Sequence, residues 1–130
     1  MRRLFTFPSA ALGAAVLLGA LAVGPVQAAG WVAALKNTPA EAFDAEDLQM
    51  FLNAAGQALN AEGTPEVITW SNPATGAGGR FQELRRSAGA DGRTCKRMRV
   101  WVSSKKRAET ASVWNACKST EGRWELSAAK

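Results

Sequence analysis

Thr94-Cys95-Lys96-Arg97-Met98-Arg99-Val100-Trp101-Val102-Ser103 is the stretch that decides the fold of this chain. Its side chains alternate with a period of two, the mark of a strand with one covered face. Met98, Val100 and Val102 point one way; Cys95, Arg97, Arg99 and Trp101 point the other. Similar segments lie on both sides of it. Glu66–Trp70 reads as a first strand, Arg80–Arg86 as a second, Glu109–Cys117 as a fourth and Arg123–Leu126 as a short fifth. The connections are turns by composition: Asn72-Pro73-Ala74-Thr75-Gly76-Ala77-Gly78-Gly79, then Ala88-Gly89-Ala90-Asp91-Gly92, then Glu121-Gly122. Lys105-Lys106-Arg107 lies at the bend between the third and fourth strands. Strands this close, joined by tight turns, form an antiparallel meander.

The apolar face of that meander needs a partner, and the sequence before it supplies one. Thr38-Pro39-Ala40-Glu41 is a capping-box pattern with Pro at the first helical position. Asp44-Ala45-Glu46-Asp47 repeats the start signal a turn later. The spacing predicts a short turn, then a helix over about 45–60. Leu48, Phe51, Leu52, Ala55 and Leu59 form one buried stripe, while Gln49, Asn53, Gln57 and Asn60 can face water. Gly63 can terminate the helix and Pro65 forbids its continuation. The expected class is α+β: one amphipathic helix packed on an antiparallel meander of four to five strands spanning about 66–126, with one disulfide. Trp70, Trp114 and Trp124 are expected in the core, and Trp31 is expected to be loose.

The first residues carry an address. Met1-Arg2-Arg3 is basic, Ala10 to Val23 is almost unbroken Ala, Leu, Val and Gly, and Val26-Gln27-Ala28 follows the helix-breaking Pro25. This is the pattern of a secretory signal peptide over residues 1–28, with a small-residue cleavage site, the alternative being an uncleaved anchor. The apolar run is shorter than the roughly 20 residues of a spanning helix. Cleavage after Ala28 leaves residues 29–130 as a single exported domain without a transmembrane segment, in the periplasm or at the cell surface. The chain has two cysteines, Cys95 and Cys117. In an oxidising compartment an even count reads as one disulfide, the alternative being two buried free thiols. No cysteine lies near the cleavage site to carry a lipid.

Composition also excludes chemistry. The chain has no histidine, so the commonest general base and metal ligand is missing. A bridge between the cysteines removes the thiol nucleophile. Asp44, Glu46 and Asp47 cluster at a helix start, where carboxylates satisfy free N–H groups and the helix dipole. The glycines after Thr75 are not followed by Gly-Lys-Ser/Thr or by a helix, so they read as a plain turn. No catalytic residue, metal site or cofactor is expected.

Charge is divided along the chain. Residues 29–79 hold Lys36 against Glu41, Asp44, Glu46, Asp47, Glu62 and Glu66, whereas most of the basic residues follow Gly79. Arg97, Arg99 and Trp101 share a strand face, Lys105, Lys106 and Arg107 extend from the hairpin, and Arg85 and Arg86 lie on the neighbouring strand. Arginine beside an aromatic suits phosphate and sugar-acid ligands. Solvent faces of sheets also carry Arg and Lys simply as protection against edge pairing, and that plainer reading is the preferred one.

Trp70-Ser71-Asn72-Pro73-Ala74-Thr75-Gly76 is followed by Gly79, then Cys95-Lys96-Arg97, Ala116-Cys117-Lys118 and Glu121-Gly122-Arg123-Trp124. Asp47-Leu48 and Ala58-Leu59 frame the helix upstream. The ordered set resembles the C-terminal domain of the bacterial surface antigen family typified by the rickettsial seventeen-kilodalton antigen. The pattern there is W-x-N-x-x-T-G-x-x-G, C-R, A-C-R and D-G-x-W. Lys96 and Lys118 replace its arginines and Glu121 its aspartate; the lipid-attached cysteine and glycine zipper of longer members are absent. The resemblance implies a small α+β envelope domain with no assigned catalysis and no active site to carry over. Its matching residues imply a turn at Asn72–Gly79, a bridge at Cys95 and Cys117, and packing by Trp70 and Trp124.

These readings converge on an exported, non-enzymatic, surface-antigen-like protein with a structural or interaction role in the cell envelope, its partner an unknown envelope component. One alternative is a polyanion-binding module using Arg97, Arg99, Trp101, Lys105, Lys106 and Arg107 on anionic lipid or glycan, nucleic acid being the less expected ligand. Another is a periplasmic inhibitor or accessory protein.

Overall fold

The computed structural model describes residues 28–89 and 91–128. The expected signal peptide lies outside them except for Ala28. The elements are α1 (Ala28–Ala34), a 3-10 turn (Pro39–Ala42), α2 (Ala45–Asn60), β1 (Val67–Asn72), β2 (Ala77–Ala88), β3 (Thr94–Ser104), β4 (Arg107–Lys118) and β5 (Trp124–Ala128). The five strands form one antiparallel sheet in sequence order, the expected meander. No helix among the described residues is long and apolar enough to cross a membrane.

Helix α2 starts as its sequence requires. The Asp44 carboxylate accepts from the Asp47 N–H at 2.8 Å, and the Asp44 N–H donates to the Asp47 carboxylate at 3.1 Å, a reciprocal capping box. Phe51, Ala54, Ala55, Ala58 and Leu59 are buried, while Leu48 and Leu52 are half-buried at the edge of the stripe. Asn60 is exposed but accepts from Trp124 Nε1 at 3.0 Å, tying the helix end to β5. Before the helix, Thr38 Oγ1 accepts from the Ala40 N–H, but Glu41 takes the Asn37 N–H rather than that of Thr38. The first start signal therefore makes a 3-10 turn without a reciprocal box.

Below α2 the core is aromatic. Phe51 meets Trp31 at 5.1 Å, Phe81 at 5.1 Å, Trp70 at 6.2 Å and Phe43 at 6.3 Å between ring centroids. Such tilted and edge-on pairs add to the burial of apolar area. Trp31, expected to be loose, is instead one of the most buried residues, 1% exposed. The reason is coverage. Helix α2 lies over β1 and β2, and α1 with the 3-10 turn approaches β3, β4 and β5. A single helix is too narrow for five strands, and Trp31 fills the remaining inner volume. Trp114 packs at the edge of this core, half-buried, and donates to Ser112 Oγ at 2.9 Å.

The long turn predicted over 72–79 is shorter than its glycines suggest. Gly78 and Gly79 belong to β2, and Gly79 stands directly opposite Trp70. A Cβ at Gly79 would overlap the Trp101 carbonyl oxygen and lie 2.9 Å from Trp70 Nε1. The glycine gives the indole room to cross the strand. Cys95 and Cys117 face each other across β3 and β4 and form the expected disulfide.

Candidate functional site

The two ends of the helix layer are each closed by a polar cluster. At the α2 start, Asp47 is 1% exposed. Its Oδ1 accepts from Asn72 Nδ2 at 2.8 Å and Thr75 Oγ1 at 2.6 Å, beyond the capping bond from Asp44. Burial acts to raise the Asp47 pKa, but the bonds from Thr75, Asp44 and Asn72 outweigh it and hold the carboxyl below its ordinary range. Asn72 Oδ1 also accepts from the Ala74 N–H, and Gly76 takes a φ of 76°, which closes the turn. One buried carboxylate thus accounts for two residues of the Trp70–Gly79 motif, Asn72 and Thr75. Capping was the expected role of Asp47; the tie to the first hairpin was not legible because Asn72 and Thr75 lie far from it in sequence.

At the α2 end, Lys96 is buried on the inner face. Its Nζ donates to the Ala58 carbonyl at 3.2 Å and the Ala61 carbonyl at 2.6 Å, and lies 3.7 Å from the Glu83 carboxylate. Burial pushes the Lys96 pKa down, opposed by the charge of Glu83. Arg86 pairs with the same carboxylate and donates to the carbonyls of Ala61, Glu62 and Gly63. Two cations thus satisfy the Ala58 carbonyl of the last helical turn and those of the three residues that follow the helix. Both clusters pair their charged groups within the protein.

The opposite face of the sheet differs. Its side chains form rows across the strands: Arg80, Trp101 and Ala111; Gln82, Arg99 and Val113; Arg85, Arg97, Asn115 and Ser127; Ser87, Cys95, Cys117 and Glu125. The Arg80 guanidinium lies over the Trp101 ring, 4.3 Å from its centroid, and pairs with Glu109 at 3.0 Å. Arg85, Arg97 and Arg99 make no ion pair among the described residues. A β-bulge between Glu83 and Arg85 sets this arrangement. The extra residue, Leu84, reverses the phase of β2, sending Arg85 outward and Arg86 inward. Sequence alternation alone cannot locate such an insertion.

The six residues expected to share a basic surface divide in two. Arg97, Arg99 and Trp101 lie together on the outer face, joined by Arg80 and Arg85. Lys105 and Lys106 form the hairpin turn, bordering a small recess with Asp47 and Thr75. Arg107 leans to the helix side, donating to the Thr38 carbonyl at 2.9 Å and pairing with Glu41 at 3.3 Å. No group of three or more potential metal ligands occurs among the described residues.

Residues 57–125 match the 17 kDa outer membrane surface antigen family, and the chain belongs to that family. The match runs from the second half of α2 to the start of β5, enclosing the Trp70–Gly79 turn, both cysteines and Trp124. No curated protein and no solved structure matches the chain.

Proposed function

We propose that this protein is an exported, non-catalytic interaction domain of the bacterial envelope that meets its partner through the outer face of its sheet. Family membership supports an envelope setting. The observation that carries the reading is the contrast between a helix side whose polar clusters are internally satisfied and a sheet face that α1 and α2 leave open. Export by a signal peptide cleaved after Ala28 belongs to the same reading. An intact mass beginning at Ala29 in the exported fraction is expected; retention of Met1–Ala28 there contradicts it. A photo-crosslinker at position 99 should yield envelope adducts in cells, and one at position 53 on the exposed side of α2 should not. Equal yields, or adducts from position 53 alone, count against the sheet face.

A second reading, polyanion binding, is favoured by Arg85, Arg97 and Arg99, which share that face without ion-pair partners among the described residues. It calls for binding to heparin or anionic vesicles that falls steeply with salt. Weak binding with no salt dependence argues for a merely solvated face.

A further inference from the structure

Arg85 and Arg97 are direct cross-strand neighbours. Like charges in that relation destabilise a sheet, and both guanidiniums lack a carboxylate among the described residues. They wall a groove of about 270 Å³ with Ser87, Asn115 and Ser127, and the Cys95–Cys117 bridge also lines it. The side chains of Arg85, Arg97, Ser87, Asn115 and Ser127 have no hydrogen-bond partner among the described residues. Glu125, the acid nearest in the row pattern, pairs with Arg93 at 3.5 Å.

We infer that this groove is a binding site for a phosphate monoester group. Two opposed guanidiniums offer two forks of N–H donors and two positive charges. A carboxylate carries one charge and fills one fork. A phosphate monoester carries a charge of about −1.5 to −2 at neutral pH and three terminal oxygens, so it can bridge both arginines. Asn115 and the two serines supply neutral donors for the remaining lone pairs. The disulfide locks β3 to β4 at the groove, fixing Arg97 against Asn115 before a ligand arrives. The tryptophan beside the arginines already carries Arg80 over its ring. This inference rests on the polyanion reading and narrows it to one groove and one chemical group.

The test titrates inorganic phosphate against the purified protein at constant ionic strength, reading melting temperature and heat of binding. The wild type should gain melting temperature with phosphate over matched chloride. Arg85→Gln and Arg97→Gln should each weaken binding about ten-fold or more, the scale of a lost charged hydrogen bond. Lys36→Gln, which removes a remote charge, should leave it unchanged. Without phosphate, Arg85→Gln should melt no lower than wild type, because it relieves the opposed charges; a lower melting point contradicts the unfilled-site argument. Equal weakening by Arg85→Gln and Arg99→Gln overturns the groove while leaving diffuse anion binding standing. No phosphate response overturns the groove as well. A second arm uses phosphatidic acid vesicles. Vesicle binding that inorganic phosphate displaces assigns the group to a lipid headgroup; phosphate binding without vesicle binding assigns it to a free ester.

Discussion

The two faces of β3 carry alternate residues of one strand to opposite ends. Met98, Val100 and Val102 are buried beneath the helices, while Arg97 and Arg99 stand on the open side. The inner face also holds charge, but there each charge is matched: Asp47 by Asn72 and Thr75, Glu83 by Lys96 and Arg86. The outer face carries arginines that no acid neutralises among the described residues. Burial forces the difference. An unpaired charge under the helices would cost far more than it does in water, so only the solvent side can keep cations available for a partner.

If the inner face holds the fold, the largest loss should come from its centre. Phe51→Ala removes the ring at the middle of four aromatic contacts and should cost about 3–5 kcal/mol in urea denaturation. A loss near that of an exposed site would break the comparison. On the outer face the covalent contribution to stability is the disulfide. Cys117→Ser should cost about 2–5 kcal/mol, and thiols titrated in the native exported protein would refute the pairing.

Asp47 sharpens the inner side. Asp47→Ala strands the donors of Asn72, Thr75 and Asp44 and should cost about 1–3 kcal/mol. Because its folded pKa is lowered, its contribution is present above the unfolded value, about 3.9, and fades as pH falls from there through the folded value. Stability measured from pH 7 to pH 2 should show that acid loss in the wild type and less of it in Asp47→Asn. Identical profiles would deny Asp47 its buried charge.

Much of the fold was legible in the sequence. The bounds of α2 follow from its capping box and apolar spacing, and the strands fall within a few residues of their alternating segments. The bridge follows from an even cysteine count in an oxidising compartment. What escaped was long-range or a matter of phase. Trp31 could be placed only once α2 proved too narrow for the sheet. The bulge at Leu84 exchanged the fates of Arg85 and Arg86, so the groove pairing Arg85 with Arg97 could not be read from alternation. Lys96, which the family comparison marked only as standing in place of an arginine, sits on the apolar side of β3 and finds its partners at the end of α2. Lys105, Lys106 and Arg107 are adjacent to the arginine face in sequence but sit at the hairpin end and toward the helix side.

The smallest structural effect belongs to the outer arginines, and it carries the central claim. Arg97→Gln/Arg99→Gln should change stability by no more than about 0.5 kcal/mol, as exposed substitutions do. The decisive measurement pairs melting of this double variant with its binding to anionic vesicles across a salt series, beside the wild type. An unchanged melting temperature, weaker binding and a log–log salt slope flatter by about one unit per lost contact are the outcome expected of a sheet face free to engage anions. Superimposable binding curves, or a variant that unfolds, would contradict that division of labour between the two faces.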